Sequence, residues 1–178
     1  QRDLYWNQDL SDKPEGVAYL KPFTADSRYI QTNFSEDDYV MNQDGSATVQ
    51  PKQFNDQQLA NVNILSKDNK KVVTIPSMYN AFKDLRSNYN FQEPITVTHS
   101  LRSVRDHDRL YRSVDPEDKI KYSPHMQGLA LDIRSKDVSG AKFIEFLQSD
   151  NGKKWLRENN LRALVHKIDG NEEHIDLR

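Results

Sequence analysis

Two strand-like runs, at 163–168 and 173–177, restrict the fold of this chain more than any other feature of its sequence, and polar and apolar residues alternate over 174–177. Alternation with a period of two is typical of a strand that is buried on one face. The pair Asp169-Gly170 stands between the two runs, and Asp-Gly is a strong signal for a tight hairpin turn. We therefore predict an antiparallel pair of strands over this part of the chain.

Further strand patterns alternate with helix patterns upstream. β-branched residues fill positions 95–98, and in residues 129–133 the large apolar side chains at 129, 131 and 133 alternate with Ala130 and Asp132. Met78, Phe82 and Leu85, in contrast, recur at helical spacing. This mixture predicts an α+β fold in which helices flank a central antiparallel sheet. The remaining predicted elements are a strand at 71–75, a helix that begins at Pro76, and two helices with Ser139 and Asp150 as N-caps.

The composition of the chain changes near residue 72. Residues 1–72 are rich in Asn, Asp, Gln and Ser and carry only short apolar patches, whereas the regular patterns lie in residues 73–178. A chain of 178 residues is long enough for one domain with a hydrophobic core. We therefore predict an irregular N-terminal extension over residues 1–72 that packs on a domain over residues 73–178.

Several kinds of site and partner are excluded by composition. The chain has no cysteine, so disulfides, thiolate metal sites and cysteine nucleophiles are impossible, and a metal would need His, Asp or Glu ligands. Its 25 basic and 27 acidic residues give a net charge of -2, which argues against nucleic acid as a partner. No apolar run approaches the ~20 residues that span a bilayer, so we expect no transmembrane segment.

The first residue is Gln1 rather than Met. This favours an N-terminal segment that has been removed, such as a secretion signal or a lipoprotein anchor. We therefore expect an exported protein.

His125 and Asp132 form the first part of a candidate site. Gly128, between them, lets the backbone turn or approach another segment closely. The apolar positions 129, 131 and 133 share one face of the predicted strand, so Asp132 lies on the opposite face. His125 can fold back over this second face and reach the carboxylate of Asp132.

The second part of the site lies in the last predicted strand, where Glu172, His174 and Asp176 share the polar face if the strand is regular from Glu172. If the two strands are neighbours in one sheet, His125, Asp132 and His174 form a three-ligand zinc site. Such a site keeps a fourth position open, as catalytic zinc requires. Spacing alone favours two simpler interpretations, namely a histidine in a polar loop and an acid-rich, solvated edge strand.

Residues 123–132, which read Ser-Pro-His-Met-Gln-Gly-Leu-Ala-Leu-Asp, carry a resemblance to a known family. They resemble the Ser-x-His-x-x-Gly-x-Ala-x-Asp motif of the zinc D-Ala-D-Ala carboxypeptidases and related peptidoglycan peptidases, which share a fold with the hedgehog signalling domain. The resemblance covers about residues 77–178. It implies that His125 and Asp132 bind Zn²⁺, with His174 as the third protein ligand. It also implies a peptidoglycan stem peptide as substrate and a location in the periplasm or cell envelope.

Residues 98–103, Thr-His-Ser-Leu-Arg-Ser, are similar to the Ser-Gly-Tyr-Arg-Ser segment of that family. The similarity implies that Arg102 reaches the active site, where its permanently charged guanidinium would stabilise the substrate carbonyl or the oxyanion. The family supplies its catalytic base as a Glu three residues before the last ligand, or as a His two residues before it. Those positions hold Asn171 and Glu172 here. Glu172 shares the face of His174, so it is the predicted base.

The expected positions of the other histidines depend on the last turn and on which residues are exposed. His166 lies beside His174 if three residues connect the last two strands, and on the other face if two residues do. His99 is a candidate neighbour of the active-site arginine, whereas His107 is more typical of an exposed helix face. Asp176 either orients a metal ligand or is a surface acid.

Three functions remain open at this point. The first is a zinc peptidase that acts on peptidoglycan, as a D-Ala carboxypeptidase or an endopeptidase. The second is a non-catalytic member of the same fold that binds cell-wall peptide or a partner protein, and the changed position of the base keeps it open. The third is a structural module with an incidental cluster of His and Asp.

Overall fold

The computed structural model describes residues 23–24, 35–43, 46–103, 106, 109, 124–168 and 172–178. Helices and strands alternate along these residues, so the α+β class is confirmed. The predicted turn residues Asp169 and Gly170 lie outside the described part, as do residues 1–22 of the predicted extension.

Ten strands and four helices are found among the described residues. The helices are α1 (Asp56–Asn61), α2 (Pro76–Asn88), α3 (Val138–Gln148) and α4 (Asp150–Glu158). The strands are β1 (Phe23–Thr24), β2 (Tyr39–Met41), β3 (Ser46–Val49), β4 (Lys52–Phe54), β5 (Ile64–Ser66), β6 (Val72–Thr74), β7 (Ile95–His99), β8 (Leu131–Arg134), β9 (Ala163–Ile168) and β10 (Glu172–Leu177). Short 3-10 turns lie at Glu36–Asp38, Lys67–Asn69 and Pro124–Gln127.

The central sheet has five strands in the order β5-β7-β8-β10-β9. Its last three pairs are antiparallel, but β5 and β7 are parallel, so the prediction of a purely antiparallel sheet was wrong. The reason is the helix α2, which lies between β5 and β7 in the chain. A helical crossover returns the chain in the same direction, whereas a hairpin reverses it. The sheet is therefore mixed.

Two smaller sheets are formed by the N-terminal half of the chain. One has the order β1-β3-β2, and the other pairs β4 with β6. In the second sheet, Phe54 stands opposite Val72. This strand pairing connects the predicted extension to the start of the predicted domain.

The two faces of the central sheet differ in polarity. On one face, apolar residues of β8 and β10 such as Ile133 and Ile175 belong to the hydrophobic core. Helices α2, α3 and α4 cover this face with Phe82, Phe143 and Trp155, whose rings contact one another. Because side chains alternate along a strand, the other face receives the polar residues of β8 and β10. Within the described residues, no helix combines the length and apolar character that crossing a membrane requires.

Residues that precede position 73 also take part in this core. Leu59, Val62 and Ile64 are buried in the same cluster. Asp38 is completely buried, and its carboxylate accepts a hydrogen bond of 2.9 Å from the backbone N–H of Ser77. Ile75, the N-cap of α2, has no side chain that could cap the helix, so an acid from a distant segment satisfies this N–H.

The N-caps of the last two helices differ from those that the sequence predicts. Asp137, not Ser139, caps α3, because its carboxylate accepts a hydrogen bond of 2.6 Å from the N–H of Gly140. Ser149, not Asp150, caps α4 through the N–H of Gly152. In each helix the true cap has an extended backbone, and the predicted cap follows it in the first turn.

We predict that Trp155 contributes more to stability than any exposed apolar residue. Its side chain is fully buried, and its indole N–H donates a hydrogen bond of 2.9 Å to the carbonyl of Ala81. Trp155→Ala should lower the free energy of unfolding by about 3–5 kcal/mol because it leaves a large cavity. Trp155→Phe should cost only about 1–2 kcal/mol, since an aromatic ring remains and mainly the hydrogen bond is lost. Urea denaturation followed by circular dichroism measures both losses.

The control for this series is Val138→Ala, at a side chain that is 72% exposed. It should change stability by no more than about 0.5 kcal/mol. A Trp155→Ala loss as small as that of the control would contradict the proposed role of Trp155 in the core.

Candidate metal centre

A cluster of acids and imidazoles occupies the polar face of the central sheet, where β8, β10 and β9 lie side by side. The register places Asp132 of β8 directly opposite Asp176 of β10. It also places His174 of β10 opposite His166 of β9. Residues opposite each other across antiparallel strands have their Cβ atoms only about 4.5–5.5 Å apart. Two carboxylates and two imidazoles are therefore held together by the pairing of the strands.

His125 comes to this cluster from the 3-10 turn that precedes β8, as predicted. Gly128 ends the turn with φ 72°, a conformation that favours glycine, and a Cβ there would lie 2.6 Å from the Cβ of Pro51. The carbonyl of Gly128 accepts hydrogen bonds from the N–H of Ile75 and the hydroxyl of Thr74. These contacts fix the turn against the neighbouring strand β6.

The imidazole of His125 is oriented by its own hydrogen bond. Its Nδ1 lies 3.1 Å from the carbonyl oxygen of Ser100, and a carbonyl can only accept, so Nδ1 carries a hydrogen. The other nitrogen, Nε2, lies 3.1 Å from Oδ1 of Asp132. A histidine that binds a metal through one ring nitrogen typically donates a hydrogen bond from the other, as Nδ1 does here to Ser100.

The three predicted ligands converge on one oxygen atom. Oδ1 of Asp132 lies 3.1 Å from Nε2 of His125 and 3.4 Å from Nε2 of His174. This oxygen is buried. Among the described residues, no other buried side-chain oxygen or nitrogen lacks a hydrogen bond of acceptable geometry. A buried carboxylate oxygen without a hydrogen bond carries a large desolvation cost, and a cation between it and the two nitrogens would remove that cost.

The most compact group of possible ligand atoms contains Asp176 and not the predicted ligand His174; the sequence suggested Asp176 only as a residue that orients a ligand. Its Oδ2 lies 3.7 Å from Nε2 of His125, so His125, Asp132 and Asp176 offer ligand atoms that all lie within 4.8 Å of one another. All three residues are buried. Both oxygens of Asp176 also accept hydrogen bonds from the guanidinium of Arg178, at 3.2 and 2.7 Å. The alternation along β10 was the available signal, since it places residues 174 and 176 on one face.

Arg102 and His99 stand at the opposite side of Asp132. Nη2 of Arg102 lies 3.9 Å from Oδ2 of Asp132, and its backbone N–H donates to the carbonyl of His125 at 2.9 Å. Nδ1 of His99 lies 3.8 Å from the same carboxylate oxygen. A bulge in β7 between Val97 and His99 produces this contact. In a regular strand, His99 would share the core face of Val97.

His166 occupies the position that a three-residue connection implies. It pairs with His174 across the strands, their ring centroids are 5.3 Å apart, and its Nε2 lies 3.5 Å from Oδ2 of Asp176. The backbone of Glu172 begins β10, but its side chain lies outside the described part of the structure, and so does the whole of His107. The role of Glu172 as base therefore stays a prediction.

The charges of the cluster are strongly coupled. Burial by itself would lower the pKa of His125, but Asp132 and Asp176 outweigh it and raise the pKa to about 9. Burial would raise the pKa of Asp132 and of Asp176, yet the nearby His125 holds both below their ordinary value, with Arg178 adding to the effect on Asp176. For His99, burial lowers the pKa, Asp132 opposes this, and Lys70 and Arg102 lower it further. The two acids and His125 thus stabilise each other's charged forms.

The donor set fits a metal ion. Imidazole nitrogens and carboxylate oxygens meet there from different segments of the chain, on a face where the surrounding side chains are largely buried. This chemistry suits zinc and other divalent transition metals. The buried group of His125, Asp132 and Asp176, with His174 beside it, could therefore hold a metal ion.

We predict that metal binding depends on the charge of Asp132. The wild-type chain, dialysed against Zn²⁺, should retain about one ion per chain, and Asp132→Asn should retain almost none, since it removes the anion at the centre of the cluster. Glu145→Gln removes the same charge from an exposed site on α3 and is the matched control. Elemental analysis measures the ratio, and circular dichroism checks the fold. Equal zinc content in the wild type and Asp132→Asn would argue against the site.

We predict that His174 is a ligand and that Asp176 supports the ligands. His174→Ala should then weaken the affinity for Zn²⁺ by more than about a hundredfold, whereas Asp176→Asn should weaken it by about 10- to 100-fold, as the loss of a supporting residue does. Competition with a fluorescent chelator measures both affinities. The opposite order would make Asp176 the third ligand.

Comparison with known proteins gives no further assignment, because no family model, no curated protein and no solved structure matches this chain.

Proposed function

We propose that this chain is a zinc-dependent peptidase that hydrolyses peptide bonds of bacterial peptidoglycan, of the D-Ala carboxypeptidase or endopeptidase type. Its zinc ligands are His125, Asp132 and His174. The observation that supports the proposal most is the approach of both imidazole Nε2 atoms, at 3.1 and 3.4 Å, to the buried Oδ1 of Asp132. We infer the reaction from the resemblance of residues 123–132 to the peptidase motif. From the same resemblance we also propose the fold that these peptidases share with the hedgehog domain.

The choice of His174 over Asp176 rests on charge. Arg178 binds both oxygens of Asp176 and compensates its negative charge, so this carboxylate gains less from a metal than that of Asp132 does. The side chain of His174 is 21% exposed, compared with 7% for Asp176. A ligand at the solvent edge leaves room for a substrate on the same side, as an open coordination position requires.

Zinc is the metal that fits the proposal best. The cluster offers nitrogen and oxygen donors, and a set of two imidazoles and one carboxylate is known from zinc peptidases. When bound, zinc would supply Lewis acidity, which polarises a carbonyl and makes water acidic near neutral pH.

The residues around the cluster have distinct proposed tasks. The carbonyl of Ser100 keeps Nε2 of His125 directed towards Asp132. Arg102, whose side chain is only 14% exposed, lies beside Asp132, where its guanidinium would donate hydrogen bonds to a substrate carbonyl and to the oxyanion that forms from it. Glu172, on the polar face of β10 by alternation, would take the proton of the attacking water.

A second candidate is a non-catalytic protein of the same fold that binds cell-wall peptide or a partner protein. The observation in its favour is the sequence before the last ligand, where Asn171 occupies the position of the family's glutamate. A peptidase of the wall and a protein that binds wall peptide both meet their ligand at the wall, so we propose a location in the periplasm or cell envelope.

We predict that Glu172→Gln separates the two candidates. In a peptidase, this variant should lower kcat for stem-peptide hydrolysis by about 100-fold or more, because it removes the base, while zinc content stays unchanged. Hydrolysis of purified wall fragments followed by chromatography measures the rate. Glu145→Gln is the matched control and should keep full activity. No hydrolysis by zinc-loaded wild-type protein would favour the binding function.

The same assay tests Arg102. Arg102→Lys retains the charge but loses the planar pair of donors, so it should lower kcat/KM by about 100-fold without loss of zinc. Unchanged kinetics in this variant would remove Arg102 from the proposed machinery.

A further inference from the structure

A cleft of about 320 Å³ opens next to the metal centre. Its wall includes Lys70 and Lys71, which precede β6, and Arg109. His99 also lines it, and the same imidazole lies 3.8 Å from Oδ2 of Asp132. The cleft and the candidate metal centre therefore share a wall, and one ligand could reach both.

The wall of the cleft carries excess positive charge. Arg109 forms an ion pair with Asp106, so these two charges compensate each other. Neither Lys70 nor Lys71 forms an ion pair with another of the described residues. As far as the described residues go, these two lysines thus have no acidic partner at a concave wall, where a ligand of opposite charge is attracted more strongly than on a flat surface.

The lysine segment is tied to the metal centre through Ser100. Its hydroxyl donates to the carbonyl of Lys71 at 3.2 Å and accepts from the N–H of Val73 at 3.0 Å. Its carbonyl accepts from Nδ1 of His125 at 3.1 Å. One buried residue therefore fixes the backbone of the cleft wall relative to a metal ligand, so the spacing between the two is defined by the fold.

We propose that this cleft binds a carboxylate of the peptide substrate, with Lys70 and Lys71 as the residues that recognise it. This inference rests on the proposed peptidase function, because it identifies the substrate as a peptide with a free carboxylate near the bond at the metal. An ammonium pair suits a carboxylate from the C-terminus of the peptide or from an acidic side chain. The experiment below distinguishes these two sources.

The test compares Lys70→Gln/Lys71→Gln with Lys153→Gln/Lys154→Gln, which removes two positive charges from α4 on the other side of the sheet. The substrates are a synthetic stem pentapeptide that ends in D-Ala-D-Ala, its C-terminal amide, and its analogue with glutamine for the acidic residue. For the parent peptide, the first variant should raise KM about tenfold at low salt and leave kcat unchanged, and the control should change neither.

The three peptides identify the carboxylate. If the C-terminus binds in the cleft, the amide has a high KM with wild-type protein and is insensitive to the lysine variant. If the acidic side chain binds there, the glutamine analogue shows this behaviour instead. An equal effect of the lysine variant on all three peptides, or no effect on any, overturns the proposal.

Failure of the peptidase function gives a different result. In that case, zinc-loaded wild-type protein hydrolyses none of the peptides, and titration calorimetry with the same peptides decides about the cleft. Binding that weakens about tenfold in the lysine variant, but not in the control, supports the cleft. An affinity that is unchanged in the lysine variant, or no binding at all, overturns the proposal.

Discussion

The carboxylate of Asp132 is the group around which the polar side of this protein is organised. It is buried on a sheet, and one of its oxygens faces two imidazole nitrogens without a hydrogen bond of acceptable geometry. A buried charge is tolerated only where neighbours compensate it. The turn that carries His125 and the position of His174 on β10 serve this compensation, whereas the β8–β10 register adds a second acid, Asp176. The fold therefore concentrates buried, interacting charges at one point, as functional sites do.

Hydrogen bonds and packing support the polar cluster from both sides of the sheet. Ser100 touches His125 with its carbonyl and the strand β6 with its hydroxyl, while Gly128 fixes the turn against the same strand. On the other side of the sheet, the aromatic contacts of Trp155 hold the helices in place. Side chains held by such supports are preorganised, and a group that could hold a metal ion benefits from preorganisation.

Much of the fold and of the site follows from the periodicity of the sequence. The stripe of Met78, Phe82 and Leu85 predicted the buried face of α2, and alternation predicted which side chains of β8 face away from the core. The N-caps were misplaced, because Asp137 and Ser139 are both good caps and only the backbone conformation selects between them. The parallel pairing of β5 was missed because the crossover by α2 is a property of the packed chain.

The sequence by itself determined which donors are available, and with no cysteine these are imidazoles and carboxylates. It also determined that residues 132 and 174 lie on polar faces, because side-chain direction along a strand has a fixed period of two. Only the tertiary structure decided that His166 faces His174, that a bulge turns His99 to Asp132, and that Arg178 clamps Asp176. Those outcomes depend on register and on contacts between distant segments, and local preferences do not encode either.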